Sequence, residues 1–296
     1  MSDKGKQTLK RIASALIGLP VYFAAIVTDQ FYGIPIFIIS TFISLAALYE
    51  FYKITDKSPE GGVAAVWFGM AFGFIINLIM YFFAFGKIYG YTRYVEVFDA
   101  KAIMFLFVII LFFLQVYQLT QRPVKGSAYS ISITVAGLLI IVFPFSHIIL
   151  LKSLNDGVFY IIMLNILIMS NDTFAYFGGM FFGKHKTDYI VSPNKTWEGY
   201  FSGLLFTIIS VLVTNQFYTS FFGRKLFTLD EAVVLGIFFS IAANIGDLSE
   251  SLFKRDGEKK DSGTMIPGHG GMWDTFDALI FSMPIFYYYL ILKGVI

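Results

Sequence analysis

The chain has 296 residues, of which 57% are hydrophobic and only 14% charged, with a formal net charge of +2. An ordinary soluble domain carries about 25% charged residues, so a soluble globular fold is excluded, and the charge balance gives no reason to expect a nucleic-acid partner. With no cysteine, disulfide and thiolate chemistry are excluded as well.

Charge-free apolar runs of about 20 residues can cross a bilayer. In chain order they predict spans near 12–28, 31–48, 63–85, 102–119, 128–151, 158–182, 200–221, 232–248 and 278–296. The first is expected to be a retained helix rather than a cleaved leader, because Ala24-Ala25 is a poor small-residue cleavage site. It joins the second through Thr28-Asp29-Gln30, which suggests a hairpin. The expected fold class is an all-α integral membrane protein of about nine transmembrane helices. With the N-terminus placed in the cytoplasm, about two-thirds of the 22 cations fall on the cytoplasmic side, as the positive-inside rule requires. Both long polar loops, 183–199 and 248–277, then face the cytoplasm, so a polar cavity is expected to open there. Residues 1–151 supply about five weakly featured spans and 152–296 the catalytic region, within one continuous membrane domain. Two readings of the first five spans stay open: lipid binding and the surface of a homodimer.

The sixth span is interrupted by Asn171 and Asp172. An ionisable group at membrane depth costs roughly 2.5–3.5 kcal/mol on insertion scales and generally faces a cavity or partner. Asp172, Tyr176, Gly179 and Gly183 share one helical face, and the glycines permit a close helical neighbour. In the loop that follows, Ser192, Asn194 and Thr196 can cap the next helix. Lys195 beside that helix start forms a reasonable phosphate site.

The densest polar segment runs from Asn244 to Asp277. Asp247, Glu250, Ser251 and Lys254 have the spacing of one helical face, and Asp274 and Asp277 form an i, i+3 pair at the start of the last span. Carboxylates clustered at a membrane edge invite a divalent cation, and hard oxygen ligands favour magnesium held together with substrate phosphates. Lys254, Arg255 and Lys260 can meet phosphate oxygens, and the Pro267-Gly268-His269-Gly270-Gly271 turn can present backbone N–H groups to an anion. His147, His185 and His269 are too widely separated for a paired metal-ligand motif.

Taken together, Asp172-Thr-Phe-Ala-Tyr176, Ser192-Pro-Asn-Lys195-Thr196, Ser251-Leu-Phe-Lys254-Arg255, Lys260-Asp261-Ser262, Pro267 to Gly271 and Asp274-Thr275-Phe-Asp277 resemble the motifs of the phosphatidate cytidylyltransferase family over about residues 170–280. The final family motif ordinarily has arginine where this chain has Thr275. The resemblance implies conversion of CTP and phosphatidate to CDP-diacylglycerol and pyrophosphate, in a bacterial inner membrane with the site facing the cytoplasm. It further implies Asp247, Asp274 and Asp277 as ligands of Mg²⁺, with room for a second cation, and Lys254 among the catalytic groups. Phosphate or substrate contacts are expected from Ser192, Asn194, Lys195, Thr196, Arg255, Lys260, Gly270 and Gly271, with Asp172 and Glu250 supporting the metal from a second position. His269 has two open roles, orienting a phosphate or capping the glycine turn. The rival readings are a CTP-dependent synthase acting on another lipid phosphate, a cation-coupled transporter and, on the strength of Thr275, a catalytically weak homologue with a scaffolding role. The CDP-alcohol phosphotransferase pattern is absent.

Overall fold

A computed structural model describes residues 3–56, 61–86 and 100–294. Lys57, Lys87 and Arg93, which enter the loop-charge comparison, lie outside the described residues. In hydrocarbon every backbone N–H and C=O must be satisfied within the segment, and the apolar runs accordingly form helices: α1 Asp3–Val27, α2 Ile34–Ile54, α3 Val66–Phe85, α4 Ala100–Gln121, α5 Ser127–Ser153, α6 Gly157–Phe182, α7 Trp197–Phe222, α8 Leu229–Asp256 and α9 Met272–Leu292. Among the described residues α2 to α9 are eight helices long and apolar enough to span, and α1 adds the shorter apolar stretch Arg11–Val27. The protein is an all-α integral membrane protein.

Helix α5 contains a π-helical turn at Leu138–Val142, directly before Pro144. A proline has no N–H to give the preceding turn, and a π-bulge is one way a helix absorbs that loss.

The chain divides into two compact units, Met1–Asn155 with Phe253–Thr275 and Asp156–Leu252 with Phe276–Ile296. The divisions fall inside α8 and α9. The first unit contains α1 to α5 together with the segment from the end of α8 to the first turn of α9. Where lipid replaces water there is little hydrophobic drive between helices, so small and polar side chains join them. Tyr52 donates to the Thr134 carbonyl at 2.7 Å, and Asn77 donates to Ser44 Oγ at 3.0 Å. Buried Lys152 donates to the Ile26 carbonyl at 2.6 Å and pairs with Asp29, securing the turn between α1 and α2.

The second unit contains α6, α7, most of α8 and most of α9. Glycines set the approach of α6 to α7: a β-carbon at Gly199 would stand 2.8 Å from the Ala175 carbonyl oxygen, and one at Gly203 would stand 3.0 Å from that of Asn171. Phe174 and Phe206 stack at the same contact, 3.5 Å between ring centres.

Candidate active site

Within the second unit the polar residues of three helices and one loop converge. Asn171 on α6 is fully buried, and its side-chain oxygen accepts from Ser240 on α8 at 2.8 Å and Thr207 on α7 at 3.3 Å. Its amide nitrogen then donates to Asp172 Oδ1 at 3.2 Å. The amide is thus committed on both sides, which fixes the carboxylate beside it. The sequence flagged Asn171 as an interruption without giving it this role.

The loop before α7 folds back on itself. Thr187 N–H donates to the Lys195 carbonyl at 3.1 Å, and Trp197 N–H donates to that of His185 at 3.0 Å. Thr196 is the residue that caps α7, its Oγ1 accepting from Gly199 N–H at 3.2 Å. Ser192 shapes the preceding turn by accepting Lys195 N–H on its carbonyl at 3.3 Å, and the Asn194 carbonyl accepts from Lys186 Nζ at 3.5 Å. His185 and Glu198 pair at 2.6 Å. This framework delivers Lys195, whose ammonium pairs with Asp247 and lies 5.4 Å from the centre of the Tyr200 ring. Burial pulls the Lys195 pKa down, but the Asp247 carboxylate more than reverses this, leaving the ammonium above the ordinary lysine value.

Asp247, Glu250 and Asp277 each place a carboxylate oxygen within 4.8 Å of the others. Helical spacing puts the first two on one face of α8. The third depends on a close approach of α9, which Gly246 permits: a β-carbon there would stand 2.6 Å from the Asp277 carbonyl oxygen. Three acids this near repel one another, and a neighbouring positive charge relieves that repulsion. The donor set consists only of hard carboxylate oxygens on two rigid helices, which fits a magnesium-sized cation. An apolar hollow of about 270 Å³ in the same unit is lined by Tyr189, Trp197, Tyr200 and Phe201 on one side and by Ile241 and Asn244 on the other.

The remaining expected residues belong to the first unit. Asp274 pairs with Lys254 at 2.7 Å, and its other oxygen accepts from Ser262 Oγ at 2.8 Å, Ser262 N–H at 2.8 Å and Gly271 N–H at 2.7 Å. The metal trio expected from sequence was Asp247, Asp274 and Asp277. The structure groups Asp247 and Asp277 with Glu250, while Asp274 serves the backbone at the start of its own helix. Arg255 donates to the Lys259 carbonyl at 3.0 Å, and Lys260 is exposed. Gly270, at φ +105°, closes the turn by hydrogen bonding with Ile266, and a β-carbon on it would stand 2.7 Å from Asp274 Oδ2. His269 Nδ1 lies 3.1 Å from Ser14 Oγ, and Arg11 Nε donates to the Gly268 carbonyl at 2.6 Å, so α1 holds this turn.

Glu50, near the end of α2, was missed from sequence. Only 5% exposed, it accepts from Ser262 Oγ at 3.1 Å and from the N–H groups of Met272 and Trp273 at 3.0 and 2.9 Å. The available signal was a carboxylate within an otherwise apolar helix, which requires a partner. The expected span 31–48 closes two residues before Glu50, whereas α2 runs on to Ile54.

The family model described as the Cytidylyltransferase family matches residues 9–292. Phosphatidate cytidylyltransferase of Staphylococcus epidermidis is 40% identical over 131 residues, 44% of this chain and 48% of that protein. The protein of the same name from Staphylococcus saprophyticus is 39% identical over 136 residues, 46% of this chain and 50% of its own. That from Staphylococcus aureus is 38% identical over 133 residues, 44% and 48% of the two chains. The matched stretch spans about half the length of these curated relatives. Because the family match runs through nearly the whole sequence, the chain belongs to the Cytidylyltransferase family.

Proposed function

We propose that this membrane protein is a phosphatidate cytidylyltransferase, joining CTP to phosphatidate to give CDP-diacylglycerol and pyrophosphate. The observation that carries the reading is the convergence of Asp247, Glu250 and Asp277 beside the ion pair of Lys195 with Asp247. The curated names of the relatives point the same way.

An oxygen of the lipid phosphate attacks the α-phosphorus of CTP, the bond from that phosphorus to the bridging oxygen breaks, and pyrophosphate leaves. A phosphomonoester with a second pKa near 6 is largely deprotonated at neutral pH, so no side chain has to remove a proton. Catalysis then reduces to positioning and charge neutralisation, as in other phosphoryl transfers. Asp247, Glu250 and Asp277 would hold magnesium, which when bound neutralises triphosphate oxygens and stabilises the departing pyrophosphate. Lys195 supplies a charge-assisted donor to a phosphate oxygen. Asp172, oriented by Asn171, supports the acidic cluster from within the same unit. Thr275, where the family motif ordinarily has arginine, donates to the Gly271 carbonyl at 3.1 Å.

The reading puts the site on the cytoplasmic side of a bacterial inner membrane, where nucleotides are available. Because the chain has no cysteine, single cysteines introduced at Ser192 and at exposed Lys260 report sidedness cleanly. Both should label from the cytoplasm, and labelling only from the opposite face overturns the orientation. The activity is tested with purified protein, radiolabelled CTP, phosphatidate and Mg²⁺. Transfer of label into lipid that requires phosphatidate and Mg²⁺ supports it. Transfer only to a different lipid phosphate redirects the substrate, and none to any lipid phosphate removes the reading.

A further inference from the structure

The first four N–H groups of a helix have no partner inside it. At the start of α9 those of Met272 and Trp273 are directed not to a residue of their own loop but to Glu50, on α2, more than 200 residues earlier. One Glu50 oxygen takes Met272 N–H, and the other takes Trp273 N–H and lies 3.1 Å from the Ser262 hydroxyl, whose single proton it shares with Asp274. Both oxygens are therefore used as acceptors. The surroundings make room for this arrangement: at Gly263 and at Gly271 an added β-carbon would run into the Glu50 carboxylate. Beside it, Phe51 packs edge-on to Trp273, with ring centres 5.4 Å apart. An anion held at a helix N-terminus is also favoured by the helix dipole.

We infer that Glu50 is a positioning residue that acts as the N-cap of α9 from a distant helix. It holds the first turn of the helix that carries Asp274 and, one turn further on, Asp277. This rests on the transferase reading for its effect on activity, whereas the cap itself does not. Within the first unit, α2 thus provides what the 262–273 segment lacks.

Glu50→Gln is the decisive variant, because the amide keeps the shape while turning one acceptor into a donor that opposes an N–H or the Ser262 hydroxyl. Gly263→Ala is the second variant: it displaces the carboxylate without altering it, and keeps the test open should Glu50→Gln fold poorly. Each full-length protein is compared with its parent by hydrogen exchange of the peptide covering residues 271–275, by kcat and KM for CTP, and by the Mg²⁺ concentration giving half-maximal rate. The expected result is exchange at Met272 and Trp273 at least tenfold faster, kcat at least tenfold lower and a higher Mg²⁺ requirement, with KM for CTP little changed. Unchanged exchange overturns the cap. Faster exchange with unchanged kcat and Mg²⁺ dependence in folded protein overturns the positioning role. If the parent transfers no label, the transferase reading fails, and the cap is decided by exchange alone.

Discussion

Gly246 on α8 lies against the backbone of Asp277 on α9, so closely that a methyl group would come within 2.6 Å of the Asp277 carbonyl oxygen. This contact sets how near the acids of the two helices can stand. Gly246→Ala forces the helices apart, at a cost of about 1–3 kcal/mol typical of overpacking. The expected outcome is a lowered thermal midpoint together with a Mg²⁺ requirement raised well beyond what a partly unfolded sample explains. Thermal unfolding and Mg²⁺-dependent rates on the same preparation check it, and a normal Mg²⁺ requirement would count against the acid cluster.

The acids themselves should divide into two classes. Asp247→Asn and Asp277→Asn each remove a charge from the trio and should lower kcat by about a hundredfold or more, the scale seen when one electrostatic transition-state contact is lost. Raised Mg²⁺ should recover part of that activity. Asp274→Asn instead breaks the pair with Lys254 and weakens acceptance from Ser262 and Gly271. Its loss should appear chiefly as lower stability and should not be recovered by Mg²⁺. Titrating rate against Mg²⁺ for all three variants separates these outcomes.

Lys195 gives a prediction about pH. Its folded-state pKa is raised by Asp247 despite burial. A raised lysine pKa contributes stability that is fully present below the unfolded value, near 10.5, and is lost only as pH rises through the still higher folded value. From neutrality to pH 9.5, therefore, the stability of the metal-free protein should show no basic limb arising from Lys195. Lys195→Ala should cost about ten- to a hundredfold in kcat/KM, as expected for a hydrogen bond to a charged group. Lys195→Arg should retain more activity while altering KM for CTP, because the planar fork meets phosphate differently. Thermal unfolding from pH 6.5 to 9.5 without Mg²⁺ checks the first, and steady-state rates of the two variants check the others.

Thr275 is exposed at the first turn of α9 and contributes one hydroxyl bond to Gly271. Thr275→Arg buries no charge, so its stability change should stay within about 0.5 kcal/mol. Activity should be retained or increased. A large loss would mean that the hydroxyl bond to Gly271 has a role beyond local support of the turn.

The spans were legible because lipid leaves a chain one economical solution, a run of apolar residues closed on itself as a helix. The Thr196 cap and the shared face of Asp247 and Glu250 were legible for a related reason, being decided within one turn of one helix. What stayed hidden was long-range. Spacing alone cannot say that Asp277 meets Asp247 and Glu250, since that depends on the approach of α9 to α8 that Gly246 permits. Glu50 was hidden because its partners are backbone N–H groups, which no sequence pattern advertises. Asn171 stood out as polar, but its bonds to Thr207 and Ser240 appear only once three helices are packed.

The Asn171 junction also bears on how the unit is made. Thr207 lies on α7, the next helix synthesised after α6, so the Asn171–Thr207 bond can close within that hairpin. A ribosome delivering helices in order therefore need not leave this amide facing lipid while α8 is still being translated. Ser240, on α8, then adds the shorter of the two contacts to the Asn171 oxygen.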